Sequence, residues 1–397
     1  MILGIRERLE VMKYNKILME EALEVIIDYR GKTPKKSESG VQTLSAKSVK
    51  NNYIDYSKCY FISKEEYNKF MVRGLPQKGD ILLTTEAPLG LVAKLDRDNV
   101  AIAQRLLTLR GKKGVLDNDY LLYYLQSPKG QYSLKARESG TTVTGIKQAE
   151  FRKIELYLPD YEIQLKIGRI LNSLNDKIEL NNKINKNLEQ QAQAVFKSWF
   201  VDFEPFGGIM PSDWRIGSIE EIVEFHNSKR IPLSSAERNK RKKIYPYYGA
   251  TSLMDYVDSY LFEGIYLLLG EDGTVIDKKG YPILQYIYGK FWVNNHAHII
   301  TGKLGFSVEM LYLLFSLTNV KSIVTGAVQQ KISQQNLKKI SVIIPTINIL
   351  KLFDNIIQPI FAQIRNIQNE NILLKQIKDT LLPKLMSGEI DISEIDI

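Results

Sequence analysis

Two stretches of the chain share one hydrophobic rhythm. After Pro159, seam residues recur at alternating steps of three and four: Ile167, Leu171, Leu174, Ile178, Asn181, Asn185, Leu188, Ala192, Val195 and Trp199. After Pro345 the same rhythm runs through Phe353, Ile357, Ile360, Ile364, Ile367, Asn371, Leu374, Lys378, Leu381 and Leu385. Sustained heptads of this kind predict two long helices with coiled-coil packing. About 40 helical residues at about 1.5 Å each span about 60 Å. Neither helix can bury its stripe alone, so the two are expected to pack on each other. Asn185 and Asn371 fall at equivalent seam positions. They read either as a solvated edge or as polar groups that fix register at some cost in stability.

The helices belong to a larger repeat. Sliding the chain by 186 positions lays Gly140–Pro159 over Gly326–Pro345 without a gap. Six of the 20 columns are identical: Gly140/Gly326, Ile146/Ile332, Gln148/Gln334, Lys153/Lys339, Ile154/Ile340 and Pro159/Pro345. Average composition gives about one. The same shift superposes Leu82-Leu83 on Leu268-Leu269. The chain reads as a tandem duplication. In each copy a mixed part with short β-rich runs, such as Asp80–Thr84 and Gly264–Leu269, precedes the helix. Turn signals at Gly79-Asp80, Asp272-Gly273 and Gly289 separate those runs.

Composition narrows the class. At 397 residues, two or three domains are expected, and 44% hydrophobic with 25% charged residues is ordinary for globular proteins. The single cysteine, Cys59, excludes an intrachain disulfide and a cysteine-based zinc site. No apolar run reaches bilayer length, and the N-terminal residues lack a secretory pattern, so a cytoplasmic protein is expected. The net charge of +9 favours a polyanionic partner.

That charge gathers in two places. Arg30, Lys32, Lys35, Lys36, Lys47, Lys50 and Lys58 stand against Glu38 and Asp55; Lys229, Arg230, Arg238, Lys240, Arg241, Lys242 and Lys243 stand against Glu237 alone. Both clusters fall early in a mixed part, among turn formers and hydroxyls such as Thr33 and Ser234. Lysine and arginine in loops neutralise phosphates, while Tyr, Asn, Gln and Thr can reach base edges. Tyr247, Tyr248, Asn294, Asn295 and His296 are candidates of the second kind, although the Asn and His groups also suit a buried turn.

Other chemistry is thinner. Only three histidines exist (His226, His296, His298), which argues against a metal site. Gly140 to Lys147 lacks the Gly-Lys-Ser/Thr succession of a phosphate loop. Asp272, Asp277 and Lys279 allow one alternative, a self-sufficient metal-dependent nuclease. A second alternative is a helical protein-binding scaffold.

The layout resembles the specificity subunits of type I restriction–modification enzymes. The resemblance rests on Gly79–Thr84, Ala101–Arg105, Lys229–Ser234, Tyr245–Ala250, Leu268–Gly273 and Asn294–His298, on the repeated closing segment, and on the helix ends Trp199–Phe203 and Leu381–Gly388. It implies an α+β chain: two mixed α/β target-recognition domains separated by two long antiparallel helices that form a coiled-coil spacer. Expected boundaries are an N-terminal segment 1–15, a first recognition domain 16–160, a first helix and linker 161–212, a second recognition domain 213–345, a second helix 346–387 and a tail 388–397. Each domain would read one half of a bipartite, asymmetric DNA site through the major groove, with the spacer fixing the gap. Thr84, Gln104 and Arg105 join the DNA-contact candidates. Two methyltransferase (modification) subunits would dock on the helices, near Phe196, Trp199, Phe200 and Phe203, and restriction/translocase subunits through them. Those same aromatics equally suit packing within the chain. S-adenosylmethionine, ATP and Mg²⁺ would sit on the partners, with no cofactor on this non-catalytic chain.

Overall fold

A computed structural model describes residues 14–140, 144–326 and 328–395. The expected N-terminal segment 1–15 lies almost wholly outside them. The chain forms two compact units: residues up to 180 together with 370 onward, and residues 181–369.

In the first unit, four antiparallel strands stand in the order Leu23–Asp28, Leu106–Gly111, Ile81–Thr84, Val92–Lys94. Every residue of Ile81–Thr84 is buried, as suits an apolar run covered on both faces. The helix Asn118–Gln126 starts at Asp117, whose carboxylate accepts from the amides of Asp119 and Tyr120. It buries Tyr120, Leu121 and Leu125 in a core shared with Leu83 and Leu107. A three-stranded sheet, Tyr60–Ile62, Val41–Leu44 and Ala101–Ile102, contains a parallel pair, Thr43 opposite Ala101.

The second unit repeats this plan, with two of its strands, Phe262–Gly270 and Leu284–Val293, much longer. Its six-stranded sheet runs Val223–Phe225, Ala297–Gly302, Phe262–Gly270, Leu284–Val293, Tyr245–Tyr248, Leu253–Val257. Tyr247 lies parallel to Trp292, as Thr43 lies to Ala101. Each unit also closes on the same antiparallel pair: Asn15–Leu18 with Glu155–Leu158, and Arg215–Ser218 with Ser341–Ile344. Identities in the repeat have physical causes. Gly140 and Gly326 have φ of 116° and 88°, a region that side-chain-bearing residues avoid. A Cβ on Gly326 would lie 2.1 Å from the Gln329 carbonyl oxygen. Ile146 and Ile332 are fully buried.

The long helices run Tyr161–Phe200 and Ile347–Ser387. All twenty seam residues named above are buried or half-buried. In the first unit, Lys177 meets Glu370 at 3.4 Å, Asn175 meets Lys378 at 2.9 Å, and Leu171 shares a core with Leu382 and Leu385. One set of numbers rises as the other falls, so these segments are antiparallel. In the second unit, Phe196 and Phe200 pack edge-on against Phe353, with ring centroids at 5.7 and 4.7 Å. Asn185 and Asn371 are 8% and 7% exposed, which removes the solvated-edge reading.

The aromatic group at the end of the first helix corrects one expectation. Phe200 and Phe203 pack on Trp214 at 5.7 and 6.0 Å, and Trp199 packs on Phe206 at 5.8 Å. Phe196, Trp199, Phe200 and Phe203 therefore line the second unit's own core rather than an open docking face. Among the described residues, no helix is long and apolar enough to cross a membrane.

Candidate nucleic-acid interface

The two units build one small frame twice. In the first, the amide of Thr85 donates to the carbonyl of Arg105 at 3.0 Å, and the amide of Ile146 donates to that of Thr85 at 3.0 Å. In the second, Glu271 donates to His296 at 2.8 Å and Ile332 to Glu271 at 2.8 Å. The turn before the middle strand is tied the same way, by Ala103 to the Leu44 carbonyl at 2.8 Å and by Asn294 to the Tyr248 carbonyl at 3.0 Å. Three segments thus converge in each unit: a strand exit, a turn and the repeated closing segment. On this common backbone the side chains differ. Gln104 and Arg105 stand where the second unit has Asn295 and His296. Arg105 pairs with Glu86 at 2.6 Å, and His296 Nδ1 donates to Asp272 Oδ1 at 2.5 Å.

Around these frames lie the basic loops. Lys32, Thr33, Lys35 and Lys36 are exposed, as is Lys47. Lys36 sits 4.9 Å over the Tyr60 ring. In the second unit Lys229, Lys240 and Lys242 are exposed. Arg30 donates through Nη2 to the Ile146 carbonyl at 2.7 Å, which ties the first basic loop to the frame.

Several expected contacts prove to be framework instead. Thr84 is fully buried, donating to the Pro88 carbonyl and accepting from the Leu91 amide. Arg230 is bonded to Glu271 at 2.6 Å and to the carbonyls of Asn295 and Ala297. Arg238 holds Asp255 and the Leu233 carbonyl, with only 11% of its side chain exposed. Arg241 pairs with Asp258 at 3.0 Å and lies 5.2 Å over the Trp292 ring. Tyr247 is buried, its hydroxyl accepting from the Leu233 amide. Tyr248 is half-buried, and burial pushes its hydroxyl up to about 12. Asn294 is 5% exposed and caps the His296 amide. Thr84, Arg230, Arg238, Arg241, Tyr247 and Asn294 are thus held by partners within the fold.

The acids that neutralise these arginines were invisible to a local charge count. Glu271, Asp255 and Asp258 lie 17 to 41 residues downstream of their partners. The nuclease alternative gains no support. Asp277 accepts from the amides of Lys279 and Tyr281 within its own turn, and Asp272 is held by His296. No group of three or more His, Cys, Asp or Glu among the described residues is placed to bind a metal.

Comparison with known proteins agrees with the duplication. The family model of the type I restriction modification DNA specificity domain matches the chain twice, over residues 23–190 and 211–379. The chain is 28% identical over 345 residues to the type I restriction enzyme MjaIX specificity subunit of Methanocaldococcus jannaschii, covering 80% of this chain and 79% of that protein. It is 36% identical over 134 residues to the HindI specificity subunit of Haemophilus influenzae, covering 32% of this chain and 29% of that one. The crystal structure of the S subunit of a type I restriction–modification system from M. genitalium superposes with a TM-score of 0.59 at 16% identity, over 95% of this chain and 97% of that one, a likeness of fold. Two copies of the specificity domain fill most of the sequence, and the chain belongs to the specificity subunits of type I restriction–modification systems, their non-catalytic recognition members.

Proposed function

We propose that each unit reads one block of duplex DNA through the major groove, so that the chain specifies a bipartite, asymmetric target. The observation that supports this most directly is the repeated frame, one backbone presenting different polar side chains in the two units. Phosphates fall to Lys32, Lys35, Lys36 and Lys47 in the first unit and to Lys229, Lys240 and Lys242 in the second. Base edges fall to Gln104 and Arg105, and to Asn295 and His296, whose types suit guanine, adenine and cytosine edges. The chain acts with two modification subunits and, through them, restriction/translocase subunits in a prokaryotic cytoplasm. S-adenosylmethionine, ATP and Mg²⁺ belong to those partners.

The test is to co-express the chain with its methylating subunit and map modified adenines across a genome. Replacing residues 213–345 with those of a relative is expected to change one half of the mapped site and leave the other. A change in both halves, or in neither, defeats the reading.

A further inference from the structure

We infer that Glu86 and Asp272 are specificity-determining positioning residues, each holding the neighbouring Arg105 or His296 in the pose that meets a base edge. The inference deepens the DNA-reading function proposed above and rests on it.

The two acids occupy the same place. Glu86 follows the strand Ile81–Thr84 by two residues, and Asp272 follows Phe262–Gly270 by two. Both form bridges to the closing segment, Glu86 to Gly145 and Asp272 to Lys331. Each acid is more covered than its partner: 27% against 50% for Glu86 and Arg105, 24% against 46% for Asp272 and His296. The acid therefore stands behind and its partner in front. Pairs this exposed add little stability, so folding alone gives weak reason to build the arrangement twice.

The chemistry follows from the donors. Arg105 sits at φ 71°, a backbone pose uncommon outside glycine, and half of its side chain is exposed. Glu86 then limits where the guanidinium fork can point, and a fork in fixed orientation selects guanine O6 and N7. In the second unit the carboxylate of Asp272 can only accept, so His296 donates through Nδ1. With Nδ1 as the donor, the neutral form of the ring would carry a lone pair on Nε2, an acceptor for the amino group of cytosine or adenine. One acid orients a donor fork and the other selects a tautomer. The same frame would thus read different bases in the two blocks.

The experiment uses the full chain with its methylating subunits and a library of duplexes randomised across both blocks. Glu86→Ala is expected to flatten preference in one block only, by about tenfold at one base pair, and Asp272→Ala in the other block only. Both variants should hold unrelated DNA somewhat more tightly, because a carboxylate near the phosphates is gone. Glu86→Gln and Asp272→Asn retain an acceptor and should restore most of the preference. Melting temperatures should stay within about 4 °C of the parent. Unchanged preferences, flattening in both blocks at once, failure of the amide variants to restore preference, or a melting temperature lowered by more than about 10 °C each overturn the inference. If the parent chain itself shows no preference, it is the DNA-reading function that fails.

Discussion

The ammonium of Lys378, on the second long helix, donates to Oδ1 of Asn175, on the first, across 2.9 Å. It lies 5.7 Å from the centroid of the Tyr123 ring. Asn175 Nδ2 donates to the Tyr123 hydroxyl, which donates in turn to Asn172. Lys378 is 8% exposed at a seam position where the heptad asks for an apolar side chain. A buried cation facing an amide rather than a carboxylate has traded water for weak compensation.

Lys378→Met is therefore expected to stabilise the protein by about 1 kcal/mol, raising the melting temperature by about 2–4 °C. Burial holds the Lys378 pKa below the usual 10.5. Between that lowered value and 10.5 the unfolded chain binds a proton that the folded chain does not, so stability rises with pH through the window. Thermal unfolding at pH 8 and pH 10 should show that rise in the parent and a smaller one in Lys378→Met.

His298 gives the opposite edge of the pH range. It is fully buried, with Nδ1 accepting from Asn227 Nδ2 at 2.9 Å and Nε2 donating to the Ile332 carbonyl at 2.8 Å. Desolvation keeps its pKa below 6.5. Its neutral form is favoured in the fold, so the stability is present above pH 6.5 and is lost as pH falls toward the lowered value. Asn227→Ala, which also removes the acceptor of the Ile299 amide, should cost about 2–3 kcal/mol at pH 7 by denaturant titration.

Asp80 is 1% exposed and holds the Arg110 guanidinium through two bonds of 2.7 and 2.9 Å, while also accepting from the Gln77 amide. Asp80→Ala leaves Arg110 partly buried without its counter-charge. A loss of about 3–4 kcal/mol is expected by denaturant unfolding.

Alanine at Lys32, Lys35 and Lys36, or at Lys229, Lys240 and Lys242, should weaken binding to every duplex alike. Each lost phosphate contact should lower the slope of log affinity against log salt by about 0.9. Filter binding at several salt concentrations measures this. A change in base preference instead of slope would move those lysines to the base edges.

Periodicity made the helices legible, because a seam repeats the burial of its face at every turn. The duplication was legible for a related reason: Gly140, Ile146 and their counterparts answer backbone and packing demands that few residues meet. Gln104, Arg105, Asn295 and His296 could be picked out as polar residues beside a turn. Side-chain direction could not. Asn294 and Asn295 are adjacent and alike in type, yet one is buried and the other exposed. Arg230 and Arg238 looked like unpaired charge because Glu271 and Asp255 come from segments further along the chain. Thr84 closes a run buried on both faces, and nothing local to it says that its hydroxyl is already committed.

The first unit takes Leu382, Leu385, Met386 and Ile392 into the same core as Met19 and Leu83. A ribosome delivers the early residues long before the late ones, so this module must wait, with part of its interior wetted, until nearly the whole polypeptide has emerged. A premature stop beyond residue 369 would spare every residue of the second module and still leave the first one unfinished.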